Sequence, residues 1–176
     1  MENRFVHFGS VLLIIAAISA GCLAGVNSMT KGVIANNKIV TANAARKDVL
    51  PAAVEFNDSS AIENQGLKFI PGLDASGNKV GYVVVVDQGG YGGNINFSLG
   101  VDLDGKITGL RIMDHQETPG LGAKIAGLEW ENHWIGKDKA YTFNKTVDAF
   151  AGATISPSSV YSGIQKALSA YAGVNK

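Results

Sequence analysis

The sequence predicts an α+β protein, in which a single N-terminal transmembrane helix precedes a domain built on an antiparallel sheet with flanking helices. Three observations carry this reading: a charge-free apolar stretch near the amino terminus, strand-like runs separated by glycine-rich turns, and a strongly signalled helix near the carboxyl terminus. The 176 residues carry 15 Lys+Arg against 15 Asp+Glu, so no net charge steers the chain toward a polyanion, and no nucleic-acid partner is expected. A hydrophobic content of 46% supports a buried core, while 22 glycines point to tight turns rather than a helical bundle. The single cysteine, Cys22, excludes an internal disulfide framework and any multi-thiolate zinc or iron–sulfur site.

From Phe5 to Thr30 there is no Asp, Glu, Lys or Arg, and the centre reads Val11-Leu12-Leu13-Ile14-Ile15-Ala16-Ala17-Ile18. As a helix this stretch would span roughly 39 Å, more than the hydrocarbon core of about 30 Å. An uncleaved anchor from about Phe5 to Val26 is expected. The competing readings are a lipoprotein signal ending at Ser19-Ala20-Gly21-Cys22, a poor box because Ser19 stands where Leu is usual, and a cleaved secretory signal. Arg4 lies before the helix and Lys31 and Lys38 just after it, so local charge does not fix the orientation. The expected organisation is an anchor over 1–28, a membrane-proximal helix and linker over 29–52, and a ligand-binding domain over 53–176. Val33, Ile34, Ala42, Ala45 and Val49 supply the apolar positions of that second helix, which Pro51 closes.

Next comes Tyr82-Val83-Val84-Val85-Val86, a β-branched run inside Lys79 to Asp87 bounded by Gly77-Asn78 and Gly89-Gly90, which predicts a buried strand. Asn94 to Leu103 and Lys106 to Met113 follow, joined by the hairpin dipeptide Asp104-Gly105, so three antiparallel strands form a meander. His115-Gln116-Glu117-Thr118-Pro119-Gly120-Leu121-Gly122 is too rich in Pro and Gly for a regular element and predicts an ordered loop. Trp130 and Trp134, four apart, read as core anchors of a helix ahead of the alternative of a stack near a ligand. Tyr141 to Val147 is a short strand candidate. Ser156, as N-cap, and Pro157, at the first helical position, then open a helix to about Tyr171, whose apolar face is Val160, Ile164, Ala167, Leu168 and Tyr171.

The segment from Asp148 to Pro157 concentrates small residues just before that helix, where free N–H groups and the positive dipole end suit a phosphate. A Gly-Ala turn before an ordinary capped helix would look the same. Asp148, Ala151-Gly152-Ala153-Thr154 and Ser156, taken together, resemble the flavinylation signature of the FMN-binding domain found in the Rnf complex (its G subunit) and in the sodium-pumping NADH:quinone reductase (its C subunit). Ala151 departs from the commoner Ser, and Ile155 separates Thr154 from Ser156; neither removes the acceptor hydroxyl. The likeness extends to Gly89-Gly90-Tyr91-Gly92-Gly93, Asp104-Gly105-Lys106-Ile107 and Glu117-Thr118-Pro119-Gly120-Leu121-Gly122, and the short chain is more similar to the Rnf protein.

The resemblance implies FMN joined through its phosphate to Thr154, installed by an FAD-dependent, Mg²⁺-requiring flavin transferase that recognises Asp148. Glu117, Thr118, Leu121 and Gly122 would face the flavin, with Gly152, Ala153 and Ser156 around the attachment point; a Pro-Gly surface loop is the bland alternative for the first four. It also implies an electron-transfer subunit of an ion-translocating oxidoreductase, held in the inner membrane among other subunits and lipid, with the flavin domain on the periplasmic or extracellular side. Membership in the quinone reductase, or a stand-alone tethered carrier, are the alternatives, and a tethered non-redox binding domain is the bland one. The chain has no dinucleotide fingerprint, no cluster cysteines and one span, so donor oxidation and ion passage would belong to partners. His115 and Glu117 lack a second cluster of ligands, so no metal site is expected. Lys124 reads as a solvated lysine rather than a phosphate contact. Ser156, His115 and Asp148 lack the Gly-x-Ser-x-Gly elbow of a hydrolase.

Overall fold

The computed structural model describes residues 7–13, 15–17, 19–21, 23–25 and 45–174. The chain divides into two compact units, Met1–Ala42 and Asn43–Lys176. In the first, helix α1 (His7–Gly25) has 19 residues, and its described side chains lie exposed. At about 1.5 Å per residue it reaches roughly 28 Å, close to the thickness of a hydrocarbon core. Cys22 and the expected membrane-proximal helix up to residue 44 lie outside the described residues.

The second unit is a six-stranded antiparallel sheet: β1 (Glu55–Phe56), β2 (Ile62–Asn64), β3 (Leu67–Leu73), β4 (Lys79–Gly89), β5 (Asn94–Asp102) and β6 (Ile107–His115). The order is β1-β3-β4-β5-β6, and β2 shares the β1 side of β3 at that strand's opposite end. Strands β4, β5 and β6 are the expected meander, paired from Gly81↔Asp102 to Gly89↔Asn94 and, with register shifts at Gly100/Val101 and Asn96/Phe97, from Val101↔Ile107 to Ile95↔His115. Strand β3 has no counterpart in the sequence reading. Pro71 breaks its pattern, yet it sits opposite Tyr82 where β3 gives way from β2 to β1, and its carbonyl accepts the Asn57 N–H.

One sheet face packs against helix α4 (Ile155–Tyr171). Tyr82, Val84 and Val86 of β4 and Phe97, Leu99 and Val101 of β5 meet Val160, Ile164, Ala167, Leu168 and Tyr171, the apolar face expected of the helix. On the other face a smaller cluster joins Val83 and Ile70 to Val49, Leu50, Ala53 and Phe56. Val49 and Leu50 are fully buried, and Thr108 Oγ1 donates to the Val49 carbonyl at 2.6 Å. The end of the expected linker is therefore packed as part of this unit.

Two elements differ from expectation. Tyr141 to Val147 is not a strand, because the β6 edge it would need is already capped. The Ile107 N–H donates to Lys137 O, and the Ile112 N–H donates to the buried Glu131 carboxylate at 2.8 Å. Asn144 instead caps the short helix α3 (Lys145–Asp148), accepting the Thr146 N–H. The second difference is the start of α4: Thr154, not Ser156, holds the N-cap position, and Pro157 falls within the first turn, where its missing N–H removes no intrahelical bond. Trp130, on helix α2 (Leu128–Asn132), and Trp134 just beyond it are core residues with ring centroids 5.5 Å apart.

Candidate functional site

A cavity of about 240 Å³ opens where the loop after β6 meets the start of α4; it is lined by Glu117, Thr118, Leu121, Gly122, Gly152 to Ser156 and Tyr91. The structure brings together Glu117, Thr118, Leu121, Gly122, Gly152, Ala153, Thr154 and Ser156, the eight residues expected around the flavin, from segments about thirty residues apart.

Glu117 makes this junction. Its carboxylate is almost fully buried; Oε1 accepts the N–H groups of Tyr91 (2.8 Å) and Gly92 (3.1 Å), and Oε2 accepts the Ser156 hydroxyl (2.5 Å). One side chain thus ties the β4–β5 turn, its own loop and the first turn of α4. Its polar atoms are engaged by protein donors, so Glu117 serves the cavity as wall and brace. Gly122 permits the approach: a Cβ there would lie 2.4 Å from Ser156 Oγ and 2.7 Å from Glu117 Oε2. Ser156, predicted as a cap, is diverted inward by the same bond.

Thr154 is different in kind. It is exposed, occupies the N-cap position of α4, and its hydroxyl makes no capping bond and no bond to any described residue. The N–H groups of Ile155 and Ser156 also have no partner among the described residues. The cavity therefore presents a free hydroxyl beside two free donors at the positive end of a 17-residue helix, an arrangement that favours a phosphate. The tight turn before it, closed by Ala153 N to Phe150 O at 3.0 Å, needs the positive φ of Gly152 (77°). Leu121 and Ile155 add apolar surface at the rim.

Asp148 lies outside the cavity. It is fully buried, accepting His133 Nε2–H (2.6 Å), the Tyr141 hydroxyl (2.8 Å) and the Asn144 N–H (2.6 Å), while its carbonyl takes Trp130 Nε1–H. Burial alone would raise its pKa, but these donors outweigh that and hold the carboxyl below its ordinary value. Burial, followed by the bond to and charge of Asp148, pushes the Tyr141 phenol up to about 12. Lys137, which donates to the His133 carbonyl, is lowered by burial and partly restored by Asp148. This network anchors the segment leading to Thr154. Sequence reasoning missed His133 and Tyr141, whose partners are brought in by folding, and missed Tyr91 and Ile155 as cavity residues; the four glycines around Tyr91 were the available signal. Lys124 is exposed, 6.0 Å from the Phe150 ring centroid and outside this cavity.

Comparison with known proteins agrees with this geometry. The sequence profile of the FMN-binding domain matches residues 90–169, a span that includes every cavity residue. The chain is 30% identical to the G subunit of the Na(+)-translocating ferredoxin:NAD(+) oxidoreductase complex of Acetobacterium woodii, over 96% of this chain and 92% of that one. It is 34% identical to the G subunit of the ion-translocating oxidoreductase complex of Methanosarcina acetivorans, over 89% of each. The crystal structure of Shewanella oneidensis NqrC shares the fold, with a TM-score of 0.50 at 22% identity over 69% of this chain and 68% of that one.

Proposed function

Because the chain belongs to the family of G subunits of ion-translocating oxidoreductase complexes, we propose that it carries one FMN, esterified through the phosphate to Thr154, and relays electrons among the other subunits of such a complex. The observation that carries the attachment point is the unbonded, exposed Thr154 hydroxyl at the helix N-terminus inside the cavity. The residues fit the group: Ile155 and Ser156 N–H for phosphate oxygens, Thr154 for the ester, and Leu121, Ile155 and Tyr91 for apolar ring surface.

FMN supplies the electron-accepting and electron-donating ring, which the phosphate linkage leaves chemically untouched. Attachment is the work of a separate FAD-dependent transferase. Thr154 would be the acceptor: its oxygen would bond to the FMN-side phosphorus of FAD as the bond from that phosphorus to AMP breaks, the hydroxyl proton leaving with AMP. Asp148 is buried, so its part in recognition is to hold residues 149–154 in the shape the transferase reads. The helix α1 anchors the protein in the membrane, and the globular unit stands on the periplasmic or extracellular side.

The test compares wild type with Thr154→Val after co-expression with the transferase. A fluorescent flavin band should survive denaturing electrophoresis in the wild type and vanish in the variant. A band of equal strength in both would overturn the assignment.

A further inference from the structure

We propose that Tyr91 is the cover of the flavin ring, the side chain that closes the open side of the cavity and limits how much of the isoalloxazine solvent meets. This rests on the reading that FMN occupies the cavity. At about 240 Å³ the cavity falls below the roughly 300–1,000 Å³ that encloses a ligand of drug size, so part of an FMN must lie at its mouth. Tyr91 lines that mouth and is the one aromatic residue among those lining the cavity; it is 70% exposed. Single exposed apolar residues need no explanation in general, but this one stands on a built pedestal. The turn is closed by Gly90 N–H to Gly93 O at 2.7 Å, and the N–H groups of Tyr91 and Gly92 are fixed on buried Glu117. A Cβ on Gly92 would lie 2.1 Å from Gln116 O, so the turn sits hard against the loop below it.

The backbone of Tyr91 is thus held while its ring makes no hydrogen bond and no aromatic contact with any described residue. Glu117, which fixes the pedestal, also holds Ser156, two residues beyond the attachment point, so ring and tether are positioned by one carboxylate. A planar aromatic ligand gains from an offset stack on such a ring, and Leu121 on the cavity wall, 44% exposed, offers apolar surface.

The experiment uses full-length protein co-expressed with the transferase, as wild type, Tyr91→Phe and Tyr91→Leu, with FMN content read by intact mass and emission normalised to it. A stacked phenol passes one electron to the light-excited ring and takes it back, which quenches emission; phenyl and isobutyl groups do not. Both variants should keep one FMN per chain and emit severalfold more than wild type, since the quenching phenol is lost. Equal emission from all three flavinylated proteins would overturn the proposal. If the wild type carries no FMN mass, the Thr154 reading fails by itself, and free FMN titrated into Thr154→Val protein decides Tyr91. A further Tyr91→Leu change should then weaken binding about 2- to 10-fold, the worth of one aromatic stack. Equal affinity, or no binding at all, overturns it.

Discussion

Two hydroxyls two residues apart, Thr154 and Ser156, have opposite roles, and stability measurements separate them. The Thr154 side chain is exposed and its hydroxyl is bonded to no described residue, so Thr154→Val should leave unfolding free energy within about 0.5 kcal/mol of wild type in a urea titration. Ser156→Ala leaves buried Glu117 Oε2 without its donor and should cost about 1–3 kcal/mol in the same titration. Gly122→Ala meets the same pair from the other side, at 2.4 Å from Ser156 Oγ, and should destabilise by about 1–3 kcal/mol while lowering the flavinylated fraction. The sequence showed these residues and Glu117 in two motifs, whose residue types and order are distinctive. It could not show which hydroxyl points inward, since that depends on where Glu117 arrives in space.

Among elements, the meander and the C-terminal helix were legible because their cues are local: a valine run, an Asp-Gly turn, an apolar face at helical spacing. Strand β3 and the segment 141–147 were not, because each is decided by a neighbour, β4 with the β1 and β2 edge in one case and the capped β6 edge in the other. The segment 141–148 instead becomes an arch held by Asp148. Asp148→Ala should lower the flavinylated fraction severalfold. Tyr141→Phe, which removes one donor to the same carboxylate without touching the cavity, should lower it less; full flavinylation of that variant would favour direct reading of Asp148 by the transferase. The pH dependence follows from the shifts. A depressed Asp148 pKa contributes stability that is present above about pH 4, the unfolded value, and is lost as pH falls through the lower folded one. Tyr141, raised to about 12, contributes stability present below about pH 10 and lost as pH rises from there through the folded value. Thermal melts should therefore show a plateau between these limits, with the alkaline fall reduced in Tyr141→Phe.

At the scale of the whole molecule, the glycine turn, the loop after β6 and the start of α4 converge on one cavity because β4, β5 and β6 carry the first two to the same end of the sheet, where α4 begins. Sequence patterning foresaw the α+β class and the apolar helix at the amino terminus. It did not foresee the second face of the sheet, where Val49 lies against Gly100 and Gly109 and Leu50 against Gly72 and Gly81, since burial by a segment so far along the chain leaves no periodic trace. Protease added to spheroplasts should remove the globular unit; protection there, with cleavage only from the cytoplasmic face, would reverse the proposed orientation. Retention of one flavin by one threonine is tested most directly by intact-mass analysis with peptide mapping of transferase-treated protein. The mass should increase by one FMN less one water, located on the peptide containing Thr154 and absent from Thr154→Val. An unmodified mass, or an adduct mapped to another residue, would contradict it.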